Sequence, residues 1–121
     1  MDLSKYRFAH HKLDAYRVAS EIADLVEPVA ERFGDGHRKL ADQLRRSADG
    51  VAALIGEGAN RYTPKQKRQR FVEARGEAGE VACHMERAFS YRLVSEQELV
   101  AVLDRADRVC AMLTGLIRRH S

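Results

Sequence analysis

Between Leu40 and Phe71 the chain reads LADQLRRSADGVAALIGEGANRYTPKQKRQRF, and the break inside this stretch decides the fold. Apolar or small residues recur three and four apart at Leu40, Leu44, Ser47, Ala48, Val51, Leu54 and Ile55, with Tyr62 as a further candidate. Arg38, Lys39, Asp42, Arg45, Arg46 and Asp49 take the other side, as an amphipathic helix requires. Thr63, Pro64 and Gln66 then supply a new helix start. The threonine hydroxyl can accept from the backbone three residues on, the proline suits the first helical position, and the glutamine can reach back to the cap. A helix over 37–62 is therefore followed at once by another over 64–92; the alternative is that Gly56 and Gly58 end the first of them early, leaving Ala59 to Tyr62 as loop.

Working outward, the third helix has an apolar stripe at Phe71, Ala74, Ala78, Val81, Ala82, Met85, Ala88 and Phe89. Ser95 and Glu98 repeat the capping signature and open a fourth helix over 95–119, with Leu99, Val102, Leu103, Ala106, Val109, Cys110, Leu113, Leu116 and Ile117 inward. Upstream, Ala15, Val18, Ala19, Ile22, Leu25, Val26, Val29, Ala30 and Phe33 describe a first helix over 13–33. Pro28 is expected to kink or break it, and Gly34 to cap its end. Connections this short make neighbouring helices run antiparallel, so the expected fold is all-α: one up-down-up-down four-helix bundle over residues 1–121.

The composition agrees, with 45% hydrophobic and 32% charged residues, two prolines and no tryptophan. The first dozen residues carry charge and no apolar core, and no later run reaches the roughly 20 apolar residues that span a bilayer, so neither a signal peptide nor a membrane anchor is expected. Cys83 and Cys110 stand in helical patterns without disulfide or zinc spacing, which suits a reducing, cytoplasmic setting. No cofactor is expected. No glutamate stands three residues before a histidine, as di-iron bundles require, and Cys83 and His84 diverge round the helix. No nucleophile elbow, phosphate loop or activated serine or cysteine is apparent, so no catalytic residues are assigned.

Helix two also carries Gln43-Leu44-Arg45-Arg46-Ser47-Ala48 followed by Val51, Ile55, Glu57, Gly58 and Arg61. This resembles the signature Q-L-R-R-A-x-x-S-I-x-x-N-I-A-E-G-x-x-R of the 23S rRNA-intervening-sequence protein family. His11 to Ala19 is similar to that family's first-helix start, and Ala74, Gly76 and Glu80 to its third-helix pattern, so the likeness runs over about residues 8–119. The departures are Gly50, Val51, Leu54 and Gly56 in place of serine, isoleucine, asparagine and alanine, and Glu77 in place of a serine. The resemblance implies a four-helix bundle assembled as a homopentamer. Relatives include the accessory variability determinant proteins of diversity-generating retroelements, which bind a reverse transcriptase and nucleic acid; by analogy, such a protein and RNA or DNA are the partners to consider, besides further copies of the chain.

The strongest charge feature is the group Arg61, Lys65, Lys67, Arg68, Arg70 and Arg75, which Arg45 and Arg46 could extend. Arg45, Arg46, Arg61, Lys65 and Arg68 are the candidate nucleic-acid contacts, since lysine and arginine bind phosphate oxygens with little sequence choice. The alternative is an ordinary solvated helix face, on a purely structural or protein-interaction bundle. A net charge of +3 is modest for one chain, but five such chains would carry +15. Val51, Leu54, Ile55, Gly76, Gly79 and Val81 are the candidate helix–helix or subunit contacts, because the glycines, each costing about 1 kcal/mol in a helix, call for an offsetting close approach.

Overall fold

The computed structural model describes residues Met1–Ser121. Four helices carry the fold: α1 Asp14–Glu31, α2 Arg38–Ala59, α3 Pro64–Ser90 and α4 Glu96–Arg119, with short 3-10 turns at Ala9–Lys12 and Asp35–His37 and no strand. Both capping boxes form. Thr63 Oγ1 accepts from the Gln66 backbone at 3.1 Å and Gln66 Oε1 from the Thr63 backbone at 3.4 Å; the Ser95 and Glu98 counterparts are 3.1 and 2.9 Å.

Three helix ends fall short of the expected bounds. The helix α1 continues past Pro28 to Glu31 and stops before Phe33, which packs into the core from outside it; Gly34 turns the chain at φ 83°. Expected to run to Tyr62, α2 ends at Ala59. The Asn60 backbone and side chain both donate to the Gly56 carbonyl, the side chain at 2.7 Å, and Lys67 Nζ reaches the Ala59 carbonyl at 2.8 Å. These bonds satisfy the last carbonyls of α2, and Tyr62 is left 97% exposed. At the end of α3, Arg92 adopts φ 62°, with Arg92 N–H bonding Phe89 and Leu93 N–H bonding Ala88, both at 2.9 Å. That turn leaves Phe89, expected in the buried stripe, 43% exposed.

Each helix packs on its sequence neighbours, and α1 closes the ring against α4. One continuous core includes Ile22, Leu44, Val51, Ile55, Phe71, Val81, Met85, Val109 and Leu113, all essentially inaccessible to water. Burying such side chains stabilises by roughly 1.5–3 kcal/mol each. The one buried polar residue, Ser47, donates to the Gln43 carbonyl at 3.0 Å, so it satisfies itself within its own helix.

Cross-helix contacts fix the register. From one end of α1 to the middle, Arg32 clasps Glu98 with two bonds of 2.7 and 2.8 Å and Glu21 accepts from Arg105 at 3.0 Å. On α2, Arg45 meets Glu27 and Glu31 near one end, while Asn60 meets His10 at the other. Gly50 faces Glu77, and Gly58 faces Phe71, between α2 and α3. Arg75 donates to Thr114, and Phe71 packs on His120, between α3 and α4.

Candidate nucleic-acid interface

The five proposed cations divide. Arg45 is held inside the chain, Nε 3.1 Å from Glu27 and Nη2 2.6 Å from Glu31, which locks α2 to α1 and removes it as a free phosphate ligand. The hydrogen bond to Glu27 foremost, and the nearby charges of Glu27 and Glu31, raise its pKa. The acid that faces Arg45 thus lies on α1, a helix away, which no local reading of α2 could supply. Arg46 is exposed beside Arg38, Lys39, Asp42 and Gln43, far from the α2–α3 junction.

Arg61, Lys65 and Arg68 are exposed together at that junction. Arg61 has only a long 3.8 Å approach to Glu57, the i, i+4 pair that the E-G-x-x-R element suggests. Lys65 and Arg68 have no carboxylate within ion-pair distance; Arg68 Nε lies 3.4 Å from Ser121 Oγ. The other members of the basic run turn to internal tasks. Lys67 caps α2, Arg75 bonds Thr114 at 3.0 Å, and Arg70 pairs with Glu73 at 2.7 Å and more loosely with Glu57 at 3.6 Å. The Arg70 hydrogen bond holds the Glu73 carboxyl below the usual carboxylate range.

Local spacing along α2 and α3 missed two cations that the fold adds, Arg118 and Arg119. They are exposed at the end of α4, which Phe71–His120 and Arg68–Ser121 contacts bring beside the start of α3. The terminal Arg-Arg-His triplet was the available signal.

Charge is strongly polarised between the two ends of the chain's fold. Residues 1–22, 50–76 and 109–121, gathered at one end by the His10–Asn60, Gly58–Phe71 and Phe71–His120 contacts, hold 12 Lys and Arg against 5 Asp and Glu. The other residues hold 9 against 13. The overall +3 is therefore the small difference between +7 at one end and −4 at the other. A field of that shape acts on a polyanion far more than the net charge suggests.

The proposed contact residues also divide. Val51, Ile55 and Val81 are fully buried within the chain, so they serve helix–helix packing and are unavailable as a subunit face. Leu54 is half-buried, and Gly76 and Gly79 are exposed. Close approach within the chain accounts for Gly58, where an added Cβ would lie 2.7 Å from the Phe71 ring, but not for Gly50, where it would meet only the Glu77 side chain at an ordinary 3.4 Å. It does not account for Gly76 or Gly79, which have nothing within 4 Å. No three His, Cys, Asp or Glu side chains converge as a metal-holding group. No helix is long and apolar enough to cross a membrane.

Four amphipathic helices round a single apolar core, with cations concentrated at one end, define an all-α four-helix protein. The chain belongs to the 23S rRNA-intervening sequence protein family, whose model matches residues 11–115. The matched span includes Arg61, Lys65 and Arg68 and stops short of Arg118 and Arg119. No curated protein matches the chain.

Proposed function

We propose that this protein is a non-enzymatic, homopentameric adaptor that holds RNA or DNA, with little sequence choice, against the basic end of an antiparallel up-down-up-down bundle. The observation that carries the reading is the concentration at one end of exposed cations with no carboxylate partner, Lys65, Arg68, Arg118 and Arg119 among them. The order of cross-helix contacts, in which residue numbers rise on one helix as they fall on its neighbour, supports the antiparallel course. Gly76 and Gly79 support the assembly, because the helix-propensity cost of two exposed glycines finds no offset inside the chain and a neighbouring subunit would provide one. By analogy with the accessory variability determinant proteins, a reverse transcriptase is the class of protein partner, and the free thiols of Cys83 and Cys110 suit a cytoplasmic setting.

Titrating a fluorescein-labelled 20-nucleotide strand with the protein tests the reading. Binding is expected at low salt, with affinity falling steeply as salt rises. The Lys65→Glu/Arg68→Glu double variant should bind at least about ten-fold more weakly, with a shallower salt dependence. No binding of the unaltered protein at low ionic strength would leave a purely structural or protein-binding bundle.

A further inference from the structure

Tyr62 lies in the loop between α2 and α3, at the basic end, without structural employment. It is 97% exposed, and no aromatic ring packs on it. Its ring contributes nothing to the core and is open to a ligand. Its neighbours in sequence are Arg61 on one side and, after the Thr63–Pro64 cap, Lys65 on the other. Beside this loop lies a shallow cleft of about 250 Å³ lined only by polar side chains, Arg61, Lys65, Gln66, Gln69 and Arg70.

We infer that the α2–α3 loop is a binding site for single-stranded nucleic acid, in which an unpaired base stacks on Tyr62 while Arg61, Lys65 and Arg68 engage the flanking phosphates. This deepens the proposed function and rests on it. Every base has an apolar π-face, so a free aromatic ring among cations recognises an unstacked base whatever its identity. A duplex keeps its base faces stacked inside and offers the loop only backbone and groove edges, with no face for a ring to stack on. The same cations therefore serve either form, and Tyr62 distinguishes them. The cleft has hydrogen-bonding capacity for a base edge: Gln66 spends its carbonyl oxygen on the Thr63 cap and Gln69 spends its amide nitrogen on Glu73, leaving one amide nitrogen and one amide oxygen free.

The test compares Tyr62→Ala and Tyr62→Phe with the unaltered protein, using labelled dT20 and a labelled 20-base-pair duplex in the same low-salt buffer. Because Tyr62 lies outside the core, both variants should retain the helix content of the parent. Tyr62→Ala is expected to bind dT20 roughly ten-fold more weakly, with Tyr62→Phe close to the parent and the duplex affinity unchanged for both. Equal losses on strand and duplex, or no loss on dT20, would overturn the stacking role while leaving the charge-based reading standing. A fall in native mass on Tyr62→Ala would also overturn it, by making the ring a subunit contact. If the parent binds neither probe, the proposed function fails first and the stacking site with it.

Discussion

Glu98 performs two tasks with one carboxylate. It completes the cap of α4 by accepting from Ser95 and ties α4 to α1 through Arg32. The Arg32 hydrogen bonds, and after them the Ser95 backbone, lower its pKa from 4.5 to about 2. A carboxyl with a depressed folded-state pKa contributes stability that is fully present above 4.5 and lost as pH falls towards 2. Glu98→Gln can still cap the helix but cannot ionise. The unaltered protein should melt a few degrees above the variant, roughly 2–4 °C, at pH 6–7, and this gap should close between pH 4.5 and 2. Thermal melts of both proteins across that range check it; a gap independent of pH would make the charge irrelevant. Glu98 was legible in sequence as a cap but not as the partner of Arg32, because 66 residues separate the two.

The helix pair α2–α3 depends on Gly58. An alanine Cβ there would meet the Phe71 ring at 2.7 and 2.9 Å and the Arg70 Cβ at 3.1 Å. Phe71 is buried and cannot swing away without opening the core. Alanine would gain about 1 kcal/mol in helix propensity, but the overpacking should exceed this, for a net loss of about 1–2 kcal/mol in Gly58→Ala. Urea unfolding checks the sign; a stabilised variant would mean that the two helices are free to separate. Helix starts were readable because capping is a local pattern of hydroxyl, proline and amide. Helix ends were less so: the glycines of α2 admitted an early end, but where it stops is set by Asn60 and, from the next helix, Lys67 capturing its carbonyls, and α3 stops at an arginine in a backbone conformation that glycine usually takes.

At the scale of the whole molecule, charge separates along the bundle while a band of exposed small residues lies on α3. If Gly76 and Gly79 face another subunit, Gly79→Leu should leave the single-chain fold intact, since nothing lies within 4 Å of the added Cβ, yet block assembly. Native mass spectrometry should find the parent at five times the 13.7 kDa of one chain and the variant at lower mass with unchanged far-ultraviolet circular dichroism. A variant that keeps the parent's mass would place the subunit contact elsewhere. The basic end emerges only at this scale, because Arg68 and Arg118 belong to different helices and become neighbours through the packing of α3 on α4.

From sequence alone came the helical class, the number of helices, their starts and most of the inward face, because each depends on residues within one turn of one another. Tertiary structure decided which charges are free. Arg45 and Arg70 read like Lys65 and Arg68 along the chain, but the first two find acids on the folded protein, Glu27 and Glu73, and the last two find none. It likewise divided the apolar and small residues, burying Val51, Ile55 and Val81 and leaving Gly76, Gly79 and Tyr62 in water. The physical reason is common to both: amphipathic spacing says which side of a helix is wet, whereas the partner of a side chain depends on the register of another helix.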